Sequence, residues 1–339
     1  MSFTIRMGLP SKGRLQEDCL EFFQACDMKV AQKNPRQYIA SVSGIPEIEV
    51  WFQRPIDIVR QVRNGSLDLG LAGYDLLAEY GGTADQIVMV HDALGFSRCT
   101  LEVVVPETWT EVNTVEDLTR ITKSWPQTHP GQNAIRVVSK YERVTRRFLE
   151  VNEITPYHLL HADGALEAAP QLGTADFIID LVETGVTLRE NHLKTLEGGR
   201  ILESEACLFG NREMLSSNSQ ALAITRLILE LFEAHIRANQ HYNIIANMRG
   251  ESAEAVAQKL HSQTELGGLQ GPTISSVYPK DPGSNGWYAI SLVVRKTHLQ
   301  TAIQQLRSVG GSGVVVLPAI FIFEETPERW SRLQQALEL

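Results

Sequence analysis

The chain has 339 residues, of which 43% are hydrophobic and 21% charged. This length exceeds one ordinary core and predicts two or three domains. The formal net charge of −9 argues against a nucleic-acid surface, which requires a basic face, but permits a locally positive pocket for a small anion. No apolar run is long enough for a membrane span, and MSFTIRMGLP lacks the apolar core of a signal peptide. We therefore predict a cytoplasmic protein that binds neither nucleic acid nor membranes.

The N-terminal third alternates between strand and helix patterns. We predict a strand at residues 3–9, a helix from LQEDCLEFFQACDM, a strand at 46–52, a helix from IDIVRQVRNG, a strand from LDLGLAG and a helix from YDLLAEYGG. This alternation is typical of an α/β fold with a mainly parallel sheet.

A second α/β unit follows at residues 107–190. Its helix TVEDL begins with a capping pattern at Thr114, and its strands are IRVVS and DFIIDLV. The strand ILESEACLFGN then returns to the first unit. The prediction is a discontinuous first domain, residues 1–106 and 191–228, interrupted by a second, with a ligand cleft between them.

The remaining chain predicts a third domain. A long helix begins after Ser216, and the order strand, helix, strand, strand, helix, strand then fills residues 229–325. This βαββαβ order is the ferredoxin-like arrangement. Residues 326–339 form an extra tail that we expect to be a short helix.

The loop from Asp180 to Leu188 is the strongest candidate for a binding site. A buried strand ends there in a turn that offers backbone N–H groups, the hydroxyls of Thr184 and Thr187, and a helix start, which together suit a phosphate. Gly185 permits close approach, while Asp180 and Glu183 suit the hydroxyls of a ribose. The pattern predicts a ribose-phosphate site; an ordinary capped turn between strand and helix is the alternative.

Basic residues follow two of the predicted first-domain strands. Lys12 and Arg14 stand at a helix start, where the helix dipole disfavours cations, and a bound anion would offset that cost. Arg54 stands at another helix start, where Asp57 is an alternative cap, and Lys140 and Tyr141 follow a second-domain strand. The carboxyl ends of strands are where α/β folds bind ligands. A solvated loop remains the alternative for each.

Other site types find little support in the sequence. The four cysteines, Cys19, Cys26, Cys99 and Cys207, are scattered without a CxxC pair, and the nine histidines show no HExxH motif. Neither GxGxxG, GxxxxGK[ST] nor GxSxG is present. We predict buried thiols, no zinc site and no covalent nucleophile.

In this order the motifs resemble those of the ATP phosphoribosyltransferases, the first enzymes of histidine biosynthesis. The matching segments are Pro10–Leu15, Arg54–Ile58, Gly65–Asp75, Leu94–Leu101, Ser139–Tyr141, Gly164–Glu167 and Asp180–Leu188. Residues 229–325 resemble the regulatory domain of the long form. The resemblance implies a two-lobed body like a type II periplasmic binding protein, and a ferredoxin-like domain that binds histidine. It also implies a hexamer or dimer that needs no separate regulatory subunit.

The resemblance also implies a reaction and its residues. The family joins ATP to phosphoribosyl pyrophosphate through N1 of adenine and releases pyrophosphate with the help of Mg²⁺; the metal ligands are not implied. Cations for the phosphates would be Lys12, Arg14 and Arg54. Substrate contacts would be Asp75, Lys140, Tyr141, Glu167, Asp180, Glu183, Thr184, Gly185, Val186, Thr187 and Leu188. Contacts to inhibitory histidine would be Asn247, Leu269, Thr273 and Gly313.

This sequence departs from the family pattern at a few positions. Ser11 is inserted before Lys12, Thr100 replaces a usual arginine, and Val186 replaces a small or polar residue. Asn247 stands where an acidic residue is usual, so our hypothesis is weaker inhibition by histidine. A non-catalytic solute- or nucleotide-binding relative and a silent regulatory chain are the alternatives. The Asp180–Thr187 loop together with SKGR favours the enzyme.

Overall fold

The computed structural model describes residues 4–32, 34, 37–278 and 286–338. The start of the predicted first strand, at residue 3, and the last residue of the predicted tail lie outside them, as do residues 279–285 of the predicted third domain. The chain forms two compact units, unit 1 (Met1–Leu227 with Arg329–Leu339) and unit 2 (Ile228–Glu328). Among the described residues, no helix has the length and apolar character needed to cross a membrane.

Strands occur throughout the described residues, in both units. In chain order they are β1 (Ile5–Pro10), β2 (Val30–Ala31), β3 (Ile39–Val42), β4 (Ile45–Gln53), β5 (Leu69–Gly73), β6 (Ile87–His91), β7 (Cys99–Pro106), β8 (Ile135–Ser139), β9 (Tyr157–His161), β10 (Phe177–Val182), β11 (Leu193–Ser204), β12 (Ala206–Asn211), β13 (His241–Arg249), β14 (Thr273–Ser276), β15 (Trp287–Arg295) and β16 (Gly311–Pro318).

The α-helices of the same residues follow in chain order. They are α1 (Arg14–Ala25), α2 (Pro55–Arg63), α3 (Tyr74–Tyr80), α4 (Val115–Thr128), α5 (Glu142–Val151), α6 (Val186–Glu190), α7 (Arg212–Ser217), α8 (Ser219–Ala238), α9 (Ala253–His261), α10 (Leu299–Ser308) and α11 (Glu328–Leu337). Short 3₁₀ turns occur at Leu166–Ala168, Thr264–Gly267 and Lys296–His298.

The first lobe of unit 1 is built on a seven-stranded sheet with the order β2-β3-β4-β1-β5-β12-β6. Its centre is parallel, since β1 pairs in parallel with both β4 and β5. Helices α1, α2 and α3 each begin within a few residues of the carboxyl end of one of these three strands. The helix starts therefore gather at one edge of the sheet, as the alternating pattern predicts.

The second lobe is built on a five-stranded sheet with the order β11-β7-β10-β8-β9. Strand β10 pairs in parallel with β8 and antiparallel with β7, so the loop after β10 lies beside the end of β8 and the start of β7. The chain passes between the lobes twice, through residues 92–98 and through Glu205. The predicted two-lobed α/β body is confirmed.

The sheets divide the chain at different residues from the predicted boundaries of 1–106, 107–190 and 191–228. Strands β7 and β11, predicted to lie in the first domain, both belong to the second sheet. The segment ILESEACLFGN, predicted as one strand, is split at Glu205 between β11 and β12. The alternation of apolar and polar residues in a strand indicates which face is buried, but it does not indicate which sheet the strand joins. The predicted domain assignments of β7 and β11 are wrong for that reason.

Sequence patterns predict the structure correctly where the interactions that form it are between residues close in the chain. The predicted capping box is present, because Thr114 Oγ1 accepts from the Asp117 N–H at 3.1 Å while the Asp117 carboxylate accepts from the Thr114 N–H. The cysteines are free, and three of them are buried. The segment GALEAAPQLG contains the 3₁₀ turn Leu166–Ala168. Strands β2, β3, β6 and β9 have no counterpart in the predicted elements.

Unit 2 has a four-stranded antiparallel sheet with the order β14-β15-β13-β16, which confirms the ferredoxin-like domain. Ile244, Ala246 and Met248 of β13 are buried and pack with residues of α9 and α10. The alternating residues of β13 lie on the other face, where Asn247 is exposed. The sheet is thus covered by helices on one face.

The C-terminal helix α11 confirms the predicted short helix. Its residues Trp330, Leu333 and Leu337 are buried, and Arg226 lies over the Trp330 ring at 5.4 Å. Arg329 forms an ion pair with Asp92, in the first connection between the lobes. Residues from Arg329 onward therefore belong to unit 1 rather than forming a separate tail.

We expect Trp330→Ala to lower the free energy of unfolding of unit 1 by about 3 kcal/mol or more, because a large side chain leaves a cavity. Gln335→Ala, at an exposed position of the same helix, is the matched control and should change it by less than about 0.5 kcal/mol. Denaturant unfolding measures both. Equal effects of the two substitutions would show that α11 does not stabilise unit 1 through its buried face.

Candidate active site

The first-lobe wall of the site carries the three predicted cations. Lys12 is exposed in the turn between β1 and α1, and Arg14 is the first residue of α1. Gly13, between them, has φ 76°, a conformation that a side chain would strain. Arg54 is the N-terminal cap of α2 and is exposed, and Asp57 lies in the first turn behind it. Each cation therefore stands at the positive end of a helix dipole.

The second-lobe wall is the predicted loop between β10 and α6. Gly185 adopts the left-handed conformation with φ 70° and ψ 7° and begins α6, so the chain reverses within residues 183–186. Thr184 and Thr187 are exposed, and Val186 is 45% exposed. Leu188 is buried in a cluster with Val104 and Ile178 and anchors the turn to the sheet. The loop is thus held from behind and open in front.

The two walls contact each other through charged side chains. Arg14 of the first lobe forms an ion pair with Glu183 of the second, and Arg14 Nε also lies 3.9 Å from Asp18 Oδ2. The Arg14 side chain is 68% exposed. Ion pairs between exposed groups contribute little to the free energy of folding. The pair therefore brings the cation and the loop together without fixing either.

A carboxylate with a raised pKa, that of Asp180, lies at the base of the loop. Burial raises the pKa of Asp180 to about 6; the Leu181 N–H lowers this pKa, the Glu167 charge raises it and the Lys140 charge lowers it. Asp180 Oδ1 accepts from the Leu181 N–H at 2.8 Å. Asp180, Glu167 and Lys140, predicted from three separate motifs, are therefore near enough to influence one another.

Asp75 and Tyr141 are brought together, but in a buried network. The Tyr141 hydroxyl donates to Asp75 Oδ2 at 2.7 Å, and the Ser204 hydroxyl donates to Asp75 Oδ1 at 2.8 Å. Asp75 is 5% exposed and Tyr141 3% exposed. Burial and the Asp75 charge raise the pKa of Tyr141, so its hydroxyl stays protonated. The geometry favours a positioning role for both residues over direct substrate contact.

Ser204 is a functional candidate that the sequence patterns did not reveal. It ends β11, next to the second connection between the lobes, and its Oγ also accepts from the Asp75 N–H at 2.9 Å. A separation of 129 residues from Asp75 leaves no periodic pattern to read. Glu79 was missed for the same reason, since its carboxylate accepts from the N–H groups of Arg143 and Val144 at 2.8 and 3.0 Å.

A groove of about 1280 Å³ adjoins the loop on the β7 side. Glu183, Thr184 and Gly185 line it together with Tyr74 of the first lobe, whereas Lys12, Arg14 and Arg54 do not. Thr100, at the position where the family usually has arginine, donates to the Val182 carbonyl at 3.3 Å. This threonine supports the end of β10 from below the loop.

In unit 2 the structure brings together part of the predicted histidine site. The Gly313 Cβ position would lie 3.8 Å from Asn247 Nδ2, and Gly313 has φ 59°. Thr273 lies on the same exposed sheet face, since it pairs with Ser291, which in turn pairs with Ile245, two residues from Asn247. Leu269 is exposed in the turn before β14. Asn247 and Gly313 are neighbours, and the other two lie further along.

In the part of the chain that the structure describes, protein groups alone form no metal centre. Within residues 4–32, 34, 37–278 and 286–338, no three His, Cys, Asp or Glu side chains are placed to hold a metal ion. Asp180 and Glu167 are near enough for the Glu167 charge to raise the pKa of Asp180. They suit a divalent cation that takes most of its ligands from elsewhere.

The fold and the loop define a two-lobed α/β protein with a glycine turn at the cleft and a separate ferredoxin-like domain. Comparison with known proteins identifies its family. The profile described as ATP phosphoribosyltransferase matches residues 54–233, and that described as HisG, C-terminal domain, matches residues 238–319. The chain belongs to the ATP phosphoribosyltransferase family, in its long form.

Individual relatives agree with this assignment. ATP phosphoribosyltransferase 2, chloroplastic, of Arabidopsis thaliana is 44% identical over 99% of this chain and 81% of its own length. ATP phosphoribosyltransferase of Nitrobacter hamburgensis is 32% identical over 89% and 92%. The solved ATP phosphoribosyl transferase (HisG:HisZ) complex from Thermotoga maritima shares the fold, with a TM-score of 0.51, 20% identity, and coverage of 68% of this chain and 99% of that one.

We expect Asp180→Asn to stabilise the protein more at pH 7 than at pH 4. The folded-state pKa of about 6 is above the ordinary 3.8, so ionisation opposes folding increasingly as the pH rises between these values, by on the order of 2–3 kcal/mol. The asparagine removes that cost. Asp85→Asn, at an exposed position, is the control and should show no such dependence. A pH-independent difference in unfolding free energy would contradict the raised pKa.

Proposed function

We propose that this protein transfers the 5-phosphoribosyl group of phosphoribosyl pyrophosphate to N1 of ATP, releasing pyrophosphate, as the first step of histidine biosynthesis. The family membership supports this reaction. The observation that carries it is the Asp180–Leu188 loop opposite Arg14 across the cleft. A non-catalytic binding relative would share the two lobes but would have no reason to carry the Asp180–Thr187 loop together with SKGR, and the comparisons do not favour it.

The reaction requires positioning and charge stabilisation rather than a covalent intermediate. Adenine N1 attacks C1 of the ribose as the bond from C1 to pyrophosphate breaks, and the negative charge that develops on pyrophosphate must be stabilised. The thiols are unsuited to attack, since burial raises the pKa of Cys99 to about 11 and that of Cys26 to about 12. This agrees with the absence of nucleophile motifs from the sequence.

Each wall of the cleft has a separate task. The N–H groups of the loop and the hydroxyls of Thr184 and Thr187 bind the 5-phosphate, and Gly185 lets the phosphate approach the backbone. Asp180 and Glu183 accept hydrogen bonds from the ribose hydroxyls. Lys12, Arg14 and Arg54 bind the pyrophosphate and the phosphates of ATP.

Mg²⁺ is the proposed cofactor, and the residues of the cleft fit it. Asp180 and Glu167 would supply one or two carboxylate ligands, and the phosphate oxygens and water the rest, as Mg²⁺ prefers. When bound, the ion neutralises charge on the departing pyrophosphate. Burial raises the pKa of Asp180 to about 6, and the Lys140 charge lowers this pKa, which favours the ionised form that could act as a ligand.

The proposal extends to regulation and assembly. Unit 2 would bind histidine, the end product, at Asn247, Leu269, Thr273 and Gly313, so that no separate regulatory subunit is required. The homologous T. maritima structure is a complex of HisG with HisZ. A homo-oligomer, either hexamer or dimer, follows from the long form. The cytoplasmic location stays a prediction, since the A. thaliana relative is named chloroplastic.

We expect the double substitution Thr184→Val and Thr187→Val to lower kcat/KM for phosphoribosyl pyrophosphate by about 100-fold, because each lost hydrogen bond to a charged phosphate costs about 1.5 kcal/mol. The assay follows product formation from ATP, phosphoribosyl pyrophosphate and Mg²⁺. Thr301→Val, at an exposed position of α10, is the isosteric control. Unchanged activity in the double variant would remove the hydroxyls from the phosphate site.

We expect Asn247→Asp to strengthen inhibition by histidine several-fold, because a carboxylate would pair with the amino group of the ligand. Inhibition curves at fixed substrate concentrations measure the effect. Asn243→Asp, on the same strand and bonded to the Ser291 hydroxyl at 3.0 Å, is the matched control. Equal inhibition of the native and Asn247→Asp proteins would refute the contact.

A further inference from the structure

A second pocket lies on the flank where α3 meets α5, and it shares Lys140 with the proposed substrate site. Its volume is about 610 Å³. The basic side chains that line it come from α2, α5 and the end of β8, and they are Arg60, Lys140, Arg143, Arg146 and Arg147. Three glutamates share its rim. Cations from three separate elements thus converge on one concave surface.

The glutamates of this pocket are largely committed to other partners. Both oxygens of Glu79 accept backbone N–H groups, from Arg143 and Val144. Glu142 Oε1 lies 3.1 Å from His161 Nδ1. Glu150 is exposed at the far end of α5. These contacts orient the carboxylates but do not cancel their charge; five basic side chains against three carboxylates still leave the pocket with a net positive charge.

Two of the arginines are held in place. Arg143 donates through Nε to the Glu79 carbonyl at 3.0 Å and through Nη2 to the Ala78 carbonyl. The Arg60 guanidinium lies over the Tyr80 ring, 5.1 Å from its centroid. Carbonyl and ring contacts fix the guanidinium groups without neutralising them. A site that is ordered before its ligand arrives binds with less entropic cost.

The other two arginines have no anionic partner of their own. In the described part of the chain, neither the Arg146 nor the Arg147 side chain makes an ion pair or hydrogen bond. They follow Arg143 by three and four positions and so share its face of α5, where like charges repel. A solvated helix face would account for these arginines alone. It would not account for Arg60 of α2 and Lys140, which line the same pocket.

We propose that this pocket binds a polyphosphate anion. One phosphate would bind the two arginines that are held in place, Arg60 and Arg143. An adjacent phosphate would bind Arg146 and Arg147, since guanidinium groups bind phosphate oxygens in a bidentate manner. The volume is within the range of small-molecule sites. The ligand is either a separate nucleotide or inorganic polyphosphate, or the triphosphate of substrate ATP, in which case this pocket replaces Lys12, Arg14 and Arg54 as the site of the ATP phosphates. The chemistry of recognition is the same.

The test is the binding of tripolyphosphate to the full-length protein, measured by calorimetry at low ionic strength. We expect Arg146→Gln with Arg147→Gln to weaken binding at least tenfold. The control is Arg307→Gln, which removes one charge from an exposed position of α10 in unit 2. It should leave binding unchanged. Any contribution from the cleft is common to all these proteins. Equal binding by the double variant and the native protein would overturn the proposal.

Kinetics then distinguish the two sources of the anion. A raised KM for ATP in the double variant, with an unchanged KM for phosphoribosyl pyrophosphate, would identify the triphosphate of the substrate. Weakened tripolyphosphate binding with both KM values unchanged would identify a separate ligand. The binding measurement does not require activity, so the pocket is tested even if the proposed reaction is wrong.

Discussion

The carboxylate of Asp75 is the interaction on which the arrangement of unit 1 depends. Asp75 lies in the first turn of α3 in the first lobe, yet the partners of its carboxylate are the hydroxyls of Tyr141, after β8, and Ser204, at the end of β11. A buried carboxylate is costly unless it is fully hydrogen-bonded. Both lobes must therefore keep their relative position for Asp75 to be satisfied, and the positive end of the α3 dipole favours the charge further.

Glu79, one turn later on the same helix, is a second buried carboxylate with hydrogen-bond partners in the second lobe. Its carboxylate accepts the N–H groups of Arg143 and Val144, at the start of α5. Helix α3 thus carries two buried acids whose hydrogen-bond partners come largely from the second lobe. Together they fix the end of β8, and with it Lys140, relative to the first lobe. A reaction that joins two bound substrates needs such fixed geometry, because small displacements of reacting groups are costly.

How much the sequence predicts depends on whether the cause is local. The cations at helix starts, the Gly185 turn and the Thr114 cap follow from neighbouring residues, and the structure contains them as predicted. The resemblance to a family added Glu167, which lies near enough to Asp180 to raise its pKa. The sheet membership of β7 and β11, and the role of Ser204, depend on partners distant in the chain. Periodicity carries no information about those.

The position of Arg14 shows how local conflict can indicate function. A cation at the first residue of α1 opposes the helix dipole, and its contact with Glu183 is between exposed groups that stabilise the fold little. Neither interaction explains the residue through stability. An anion in the cleft would reverse the balance, because it would interact favourably with the dipole, with Arg14 and with Lys12 at once. We therefore explain the unfavourable position of Arg14 at this helix start by the negative charge of the proposed substrate, which the folded chain alone does not supply.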